Sequence, residues 1–429
     1  MNIRQKAASL LSLWEKEDGF ANLMLTDDIL QEAKDEAGTL TALFYGAVER
    51  KLSLDYAIGA LSGRALSDIS SHTKQLLRLG LYQIYFMRIP PYAVVNETVA
   101  LGENKAEKGF LNAILRRALR QGEMPLPPKD KKIRFLSVKE SFPQETVKRF
   151  ASLFGYEKTE ELLAFFNRVL PTTVRVTKGS REEYISLLAK EGIEAEKTAF
   201  APMGVRVLTP SAVSSLPLFA EGGFFVQDEA SQIATVALDA KKGQRVIDVC
   251  ACPGGKTAGA LADMKGEGEA FAFDLHESKL SLVSANLKRL GFSASVAALD
   301  AKEGNPSLFE TADRVICDVP CSGLGVLGKK PDLRYREISA ELPSLQYDIL
   351  CASCRYVKRG GVLVYSTCTL LPEENQENVA RFLEEHKDFE AEDFAVGSLK
   401  SEKGQLTLLP FLHETDGFFV AKLHRKGNT

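Results

Sequence analysis

The sequence predicts a multidomain protein in which an all-α bundle and a small α+β module precede an α/β domain with a doubly wound parallel sheet. Three observations support this fold class. The 429 residues exceed the roughly 250–300 residues that one hydrophobic core accommodates. Apolar residues recur at helical spacing over residues 1–125, and strand-like and helix-like segments alternate from about residue 225 onward.

Residues 1–125 have the pattern of a helical bundle. Apolar stripes with three- and four-residue spacing begin at Leu10 and Leu40. The segment from Leu76 to Phe86 is apolar almost all round, which predicts a central helix, and it stops before two prolines at 90 and 91. Further helices are expected at 96–105 and 108–120. The Pro-rich stretch at 124–128 predicts a stiff linker that ends this domain.

Local charge distinguishes the end of the bundle from the rest of the chain. The net charge is −3, yet nine Lys or Arg stand against three acids between residues 105 and 134. This excess suits contacts with RNA phosphates, although a solvated helix face in a packing or partner-binding module would look similar. Arg116, Arg117 and Arg120 are the candidate RNA contacts here.

Residues 126–224 are expected to contain linker helices and a small α+β module of the RNA-recognition type. The module's strands are predicted at 173–177 and 205–208, around a helix at 181–191. Residues 225–429 form the α/β domain, with strands predicted at 245–250, 270–275, 294–299, 314–319 and 361–366. Segments 406–410 and 418–423 are expected to pair antiparallel. Ligands bind such sheets beyond the carboxyl ends of the strands.

The stretch Asp248–Thr257 (Asp-Val-Cys-Ala-Cys-Pro-Gly-Gly-Lys-Thr) follows a strand and opens a helix. A phosphate-binding P-loop would need Gly where Cys250 stands, and a dinucleotide fingerprint is absent. The remaining interpretation is the first loop of an adenosyl-methionine methyltransferase. Asp274 ends the next strand, where an acid binds ribose hydroxyls, and Asp300 ends the third, within reach of an adenine amino group. Either acid alone would equally suit a solvated loop.

Two further strands end in thiols. Asp318 and Cys321 follow the fourth strand as Asp-Val-Pro-Cys, and Cys368 follows the fifth as Ser-Thr-Cys-Thr. C5 of cytosine is too unreactive to take a methyl cation unaided, whereas a thiolate added at C6 makes C5 nucleophilic. A free thiol has a pKa of roughly 8.5, so the site must favour the thiolate. Asp318 is expected to hydrogen-bond N3 or the exocyclic amine of the base. This chemistry needs one attacking thiol and does not say which cysteine attacks.

These motifs together resemble the RNA cytosine-5 methyltransferase family, in its bacterial small-subunit ribosomal RNA branch. Residues 1–125 are similar to NusB-type RNA-binding domains through Leu81–Ile84, Pro90–Glu97 and Gly109–Arg117. The resemblance implies a Rossmann-like sheet of seven strands, S-adenosyl-L-methionine as the cofactor and 16S ribosomal RNA, naked or in an early assembly intermediate, as the substrate.

The resemblance also implies roles for individual residues. The Thr-Cys thiol is the family's nucleophile, which assigns attack to Cys368, and the Pro-Cys thiol, here Cys321, assists product release. Lys256 and Asp318 lie where the target base would enter. The implied cofactor contacts are Cys250, Ala251, Cys252, Pro253, Gly254, Gly255, Lys256, Asp274, Asp300 and Asp318.

Two other segments carry weaker signals. The basic stretch 328–336 follows the Cys321 loop and is expected either to hold RNA phosphates or to be simply an exposed loop. Its cations are Lys329, Lys330, Arg334 and Arg336. Cys351 and Cys354 have the spacing of half a metal site, but no second pair completes it, so we expect core thiols and no metal.

Composition bounds the remaining possibilities. All seven cysteines lie between residues 250 and 368, unlike a secreted disulfide framework, and no apolar run reaches the roughly 18 residues of a membrane span. We therefore expect a cytoplasmic, monomeric protein with reduced thiols. The same chemistry on transfer RNA or DNA is an alternative, although a DNA enzyme would be expected to carry only the Pro-Cys thiol. A non-catalytic RNA-binding or antitermination factor is a second alternative.

Overall fold

The computed structural model describes residues 2–17 and 20–427, and the chain divides into two compact units. The first unit comprises Met1–Arg168 together with Leu327–Arg336, and the second comprises Val169–Val326 and Glu337–Thr429. The first unit thus takes in helices that the sequence assigned to a linker region, and also a short segment from within the α/β region. In the part of the chain that the structure describes, no helix has the length and hydropathy to cross a membrane.

The first unit is helical, as the sequence predicts. Its helices are α1 Ile3–Glu17, α2 Ala21–Met24, α3 Asp27–Ala33, α4 Ala37–Glu49, α5 Lys51–Ser62, α6 Ser71–Phe86, α7 Pro91–Ala100, α8 Lys105–Gln121, α9 Lys132–Glu140, α10 Gln144–Phe154 and α11 Tyr156–Phe166. Helix α6 is central, because it packs against α1, α4, α5, α7 and α8. Its apolar face joins those of α1, α4 and α8 in one continuous core.

The predicted boundaries of α7 were wrong by several residues. The helix begins at Pro91 and ends at Ala100, whereas a helix at 96–105 was expected. Proline is well tolerated at the first helical position, where its missing N–H has no partner to lose. Asn104 instead caps α8, its side chain accepting a hydrogen bond from the Glu107 N–H.

The second unit begins with the small α+β module. Its elements are β1 Thr172–Val176, α12 Arg181–Lys190, β2 Ala195–Lys197, β3 Gly204–Val207 and β4 Phe224–Val226. The four strands form an antiparallel sheet in the order β2-β3-β1-β4. Ser180 and Glu183 form a capping box at the start of α12. The predicted strands and helix are confirmed to within a residue or two.

The α/β domain follows. Its strands are β5 Arg245–Asp248, β6 Glu269–Asp274, β7 Ser295–Ala298, β8 Ala312–Asp318, β9 Val357–Thr367, β10 Phe389–Ala391, β11 Ala395–Val396, β12 Leu399–Lys400, β13 Gln405–Leu408 and β14 Phe418–Arg425. Its helices are α13 Glu229–Leu238, α14 Gly255–Asp263, α15 Glu277–Leu290, α16 Leu342–Cys354, α17 Gln376–Glu385 and α18 Pro410–His413.

The main sheet has seven strands in the order β10-β14-β9-β8-β5-β6-β7, and β13 pairs with β14 as an eighth. Strands β5 to β9 are parallel, whereas β14 runs antiparallel to β9, β10 and β13. Neighbouring residues such as Val315 and Ile316 belong to separate cores on the two faces of the sheet. This burial on both faces explains the continuous apolar strands in the sequence. The doubly wound fold and the antiparallel hairpin are confirmed.

Candidate active site

The loops that follow β5, β8 and β9 meet at one edge, because these three parallel strands are neighbours in the sheet. Asp318 ends β8 opposite Ser366 of β9, and the Ser366 hydroxyl donates a hydrogen bond to Asp318 Oδ1 at 2.6 Å. Lys256, in the first turn of α14 after β5, places Nζ 2.5 Å from Asp318 Oδ2. Three separate strand ends therefore converge on the carboxylate of Asp318.

The two predicted thiols lie side by side at this edge. Cys321 follows β8 and Cys368 follows β9, and their Sγ atoms are 3.2 Å apart. The backbone N–H of Gly325 also donates to the Cys368 carbonyl oxygen at 2.9 Å, which ties the two loops together. The hydrogen bond to Cys368, followed by burial, raises the pKa of the Cys321 thiol well above its usual range. Cys321 is therefore held as the protonated partner of the pair.

The loop after β5 has the form expected of a ligand-binding turn. Gly254 adopts a φ of 98°, a conformation that side chains other than glycine rarely take, and α14 starts at Gly255. Asp274, at the end of β6, accepts a hydrogen bond from the Cys252 N–H at 3.2 Å. Burial raises the pKa of both Cys250 and Cys252, so these thiols remain neutral.

A cavity of about 170 Å³ opens beside this loop. The predicted residues that line it are Cys250, Ala251, Cys252, Pro253, Gly255, Lys256 and Asp318. Asp274 reaches the loop through Cys252, as described above. Asp300 lies beyond β7, half-buried, and accepts from the Lys302 N–H at 2.9 Å. It does not line this cavity.

Sequence reasoning missed two acceptors in the same cavity. Asp248 Oδ1 and Gln227 Oε1 are both buried without a hydrogen-bond partner, and both residues line the cavity. The other carboxylate oxygen of Asp248 accepts from the Thr257 hydroxyl at 2.7 Å. Burial raises the pKa of Asp248 to about 7. Buried acceptors without partners are rare in proteins and favour a ligand that brings donors. For Gln227 the sequence signal was its place, with Asp228, between a strand and a helix, whereas Asp248 opens the stretch Asp248–Thr257 that already indicated a ligand loop.

The residues predicted to contact RNA differ in their surroundings. Arg116, Arg117 and Arg120 have exposed positions on α8, although Arg117 also donates to the Leu61 carbonyl oxygen at 2.8 Å. Lys329 and Lys330 are exposed as well. RNA contact by these five residues stays a prediction.

Arg334 is a correction to the predicted set of RNA contacts. It is only 2% exposed, and its guanidinium donates to the carbonyl oxygens of Leu327, Glu49 and Phe166 and to Asn167 Oδ1. It also lies 4.0 Å over the ring of Phe142. A guanidinium so enclosed cannot reach a phosphate in this conformation. The neighbouring Arg336 stacks on Phe20, 3.5 Å from the ring centroid, and is half-buried.

Cys351 and Cys354 pack against the core on one face of the α/β sheet. The Cys354 thiol donates to the Cys351 carbonyl oxygen at 3.1 Å, and burial raises the pKa of both thiols. Within the described residues, one group has side-chain oxygens and nitrogens close enough to hold a metal ion, namely His72, Glu103 and Glu107 of the first unit. These three residues are not part of the strand-end cleft, which is the site formed by Lys256, Asp318, Cys321 and Cys368 with the cavity beside the β5 loop.

Three family models match the chain in sequence order. The NusB family model matches residues 1–120, the ferredoxin-like domain of RsmF/B-like methyltransferases matches residues 142–214, and 16S rRNA methyltransferase RsmB/F matches residues 235–424. The middle module is therefore ferredoxin-like. RNA recognition by that module stays a prediction.

Curated relatives match over the full length. The chain is 35% identical to the probable ribosomal RNA small subunit methyltransferase B of Bacillus subtilis, covering 99% of both chains. It is 36% identical to ribosomal RNA small subunit methyltransferase B of Klebsiella pneumoniae, covering 100% of this chain and 99% of that protein.

Solved structures agree with these relatives. The structure of PH0851 is 26% identical, with a TM-score of 0.81 over 99% of both chains. A methyltransferase homolog protein from Pyrococcus horikoshii is 29% identical, with a TM-score of 0.59 over 70% of this chain and 100% of that one. Strand-end geometry, family models and full-length relatives lead to one conclusion: the chain is an S-adenosyl-L-methionine-dependent RNA methyltransferase, and it belongs to the 16S rRNA methyltransferase RsmB/F family.

Proposed function

We propose that this protein methylates C5 of one cytosine in 16S ribosomal RNA, at a site of the position-967 type, through a covalent bond between Cys368 and C6 of the base. The observation that carries the proposal is the pair of thiols 3.2 Å apart, beside the Lys256–Asp318 ion pair. Two adjacent thiols provide one group to attack the base and a second to assist its release. The names of the curated relatives support 16S rRNA as the substrate.

The first step is addition of the Cys368 thiolate to C6, which places a carbanion-like electron pair on C5. The Lys256 ammonium donates a hydrogen bond to the base as negative charge develops at N3 and O2, and Asp318 accepts one from the exocyclic amine. The 2.5 Å contact between these two side chains keeps a donor and an acceptor together at the point where the base enters. When bound, the cofactor supplies the electrophilic methyl group that C5 takes.

The second step removes the C5 proton and breaks the bond between Cys368 Sγ and C6, which regenerates the thiolate and the aromatic base. We assign proton removal to Cys321. Its pKa is raised chiefly by the hydrogen bond to Cys368, and that cause disappears once Cys368 is bonded to C6. Adduct formation therefore lowers the pKa of Cys321 from this raised value, which eases loss of its proton to solvent and favours the thiolate that removes the C5 proton.

The cavity beside the β5 loop fits the proposed cofactor. Its unpartnered acceptors, Asp248 Oδ1 and Gln227 Oε1, suit an ammonium group, and the turn at Gly254 brings backbone close to a ligand. The carboxylate of Asp274 suits ribose hydroxyls. We also propose Asp300 as an adenine contact, because it follows β7, a parallel strand next to β6 at the same edge of the sheet.

The RNA is proposed to lie along basic side chains of the NusB-like bundle, in a protein that acts as a monomer on naked RNA or an early assembly intermediate. Arg116 and Arg120 on α8 and the exposed Lys329 and Lys330 support this path. A substrate base must leave its stack to reach the thiols that follow β8 and β9, and contacts with the flanking phosphates favour that movement.

Adduct trapping tests the assignment of the two thiols. Cys321→Ala, mixed with a 16S rRNA transcript and S-adenosyl-L-methionine, should accumulate a protein–RNA complex that survives denaturing electrophoresis. The double variant Cys321→Ala/Cys368→Ala should form none, and Cys351→Ala should turn over as the unmodified protein does. A complex that persists in the double variant would contradict attack by Cys368. Bisulfite mapping of the product identifies the cytosine, and methylation only of transfer RNA would favour the alternative substrate.

A further inference from the structure

Two consecutive buried polar residues beside the thiols, Glu374 and Asn375, have no part in the chemistry described above. They are 1% and 0% exposed, and they lie between the Cys368 loop and α17: Glu374 ends the turn Pro372–Glu374, and Asn375 directly precedes the helix. Burying a carboxylate and an amide is costly unless their hydrogen-bonding atoms find partners. In both cases the partners include residues that flank a thiol.

Asn375 holds the two neighbours of Cys368. Its Oδ1 accepts from the Thr367 hydroxyl at 2.5 Å, and its Nδ2 donates to the Thr369 carbonyl oxygen at 3.0 Å. Thr367 and Thr369 are themselves fully buried. The backbone is therefore fixed immediately before and immediately after the proposed nucleophile.

Glu374 holds the two neighbours of Cys321. Its Oε2 accepts from the Ser322 N–H at 2.9 Å and from Gln346 Nε2 at 2.7 Å. The same amide nitrogen of Gln346 donates to the Pro320 carbonyl oxygen at 2.9 Å. One carboxylate thus secures Ser322 directly and Pro320 through Gln346, which is fully buried on α16.

The two loops are also joined to each other. The hydroxyl oxygens of Ser322 and Thr369 are 2.8 Å apart, and the Thr369 hydroxyl lies 3.4 Å from Glu374 Oε1. Because Glu374 and Asn375 are adjacent in the chain, the two loops are held from one place in the fold, each through its own set of hydrogen bonds. The separation of the two Sγ atoms therefore depends on this dipeptide.

We propose that Glu374 and Asn375 are positioning residues with divided tasks, in which Asn375 places Cys368 for attack on C6 and Glu374 places Cys321 for release. The inference rests on the cysteine roles given under Proposed function. Displacing a reacting group by about 1 Å costs on the order of 10²-fold in rate. The two residues touch neither base nor cofactor, so their loss affects the rates of the steps and leaves ligand affinity unchanged.

The division of tasks has a measurable signature. Slow release with attack intact accumulates the covalent adduct, whereas slow attack with release intact depletes it. Glu374→Ala should raise the steady-state adduct about threefold or more, and Asn375→Ala should lower it. Both should reduce kcat about tenfold or more, with KM for RNA and for S-adenosyl-L-methionine within about twofold of the unmodified protein. General damage to the fold would move the adduct level of both variants in the same direction.

Conservative variants separate positioning from other effects. Glu374→Gln keeps a carbonyl oxygen able to accept from both Ser322 and Gln346, so kcat should stay within about threefold of the unmodified protein. The matched control is Glu377→Gln, the same change at an exposed position in the first turn of α17, which should alter neither kcat nor adduct. A Glu374→Gln variant as slow as Glu374→Ala would overturn the proposed role of the acceptor.

Two near-isosteric variants keep the proposal testable where an alanine variant fails to fold. Gln346→Met removes the link to Pro320, and Thr367→Val removes the hydroxyl that donates to Asn375. They should reproduce the opposite shifts in adduct level at smaller amplitude, and equal shifts of the same sign would contradict the divided roles. Absence of adduct even in Cys321→Ala would refute the cysteine roles themselves. In that case the divided tasks are refuted as well. The positioning role of Glu374 is still tested separately, by whether kcat is lower in Glu374→Ala than in Glu374→Gln.

Discussion

The site at the ends of the parallel strands and the segment Leu327–Arg336, which follows β8 within some twenty residues, bury polar groups in opposite ways. In the strand-end cleft, Asp248 and Gln227 each keep a buried acceptor without a partner, and two thiols face each other. In the segment, the buried guanidinium of Arg334 donates to four protein acceptors. Unmet hydrogen bonds mark a place where a ligand binds, whereas saturated ones mark a place where the chain holds itself together.

The segment Leu327–Arg336 is also closely packed through its backbone and its other side chains. A Cβ atom at Gly328 would lie 2.9 Å from the Phe166 carbonyl oxygen, so the segment packs against α11 as closely as a core element does. Tyr335 donates to the Val48 carbonyl oxygen at 2.8 Å and meets the ring of Trp14 edge-on. A run of cations in a sequence is therefore compatible with a structural role when one of them is enclosed.

The largest effect is expected in the cleft. Cys368→Ala removes the proposed nucleophile, and methyl transfer from labelled S-adenosyl-L-methionine to 16S rRNA should fall by at least about 10³-fold. Cofactor affinity, measured by calorimetry, should be unchanged because the cavity beside the β5 loop is intact. Turnover that survives the substitution would assign attack to another group.

The next largest effect is expected in the segment, and on stability. Arg334→Ala leaves several buried carbonyl oxygens without donors and should lower the free energy of unfolding of the first unit by about 3 kcal/mol. The chain's single Trp, Trp14, lies in this unit, so its fluorescence in urea reports the transition. Lys330→Ala, at an exposed position of the same segment, should change it by less than about 0.5 kcal/mol. Equal effects would mean that enclosure of Arg334 contributes nothing.

The buried carboxyl group of Asp248 should make the stability of the protein depend on pH. Burial raises the pKa of Asp248 from 3.8 to about 7 in the folded protein. Between pH 4 and 7 the folded state therefore holds a proton that the unfolded state has lost, and stability falls as the pH rises through this window. Asp248→Asn should flatten that part of the profile, measured as urea midpoints by circular dichroism from pH 4 to 8. Parallel profiles for the two proteins would show that Asp248 ionises normally.

The smallest effects are expected from exposed cations. Replacing Arg116 and Arg120 by alanine should weaken RNA binding and reduce the slope of log K against log salt concentration by about one for each phosphate that the variant no longer neutralises. Lys330→Ala should act in the same direction, while Lys16→Ala, an exposed position on α1, serves as the control. An unchanged slope for the α8 variant would make the bundle a packing or protein-binding module.

Much of the fold was predictable because its signals are local. The alternation of strands and helices predicted the doubly wound sheet, and helical spacing predicted α4 and α6. The start of α7 was missed because proline both ends helices and favours their first position. The cleft was predictable in outline, since residues at the ends of neighbouring parallel strands must meet at one edge.

The amino-acid sequence by itself determined which chemistry this protein brings to one edge of a sheet: Asp318, Cys321, Lys256 and Cys368 follow strands, and their residue types suit attack on a pyrimidine. Only the tertiary structure decided how those groups are used and held. Arg334 donates to carbonyl oxygens instead of facing solvent because of contacts between residues far apart in the chain. Contacts of the tertiary structure also bring Glu374 and Asn375 into hydrogen bonds with the neighbours of the two thiols. Burial and hydrogen-bond partnership are properties of the packed chain, and no local pattern encodes them.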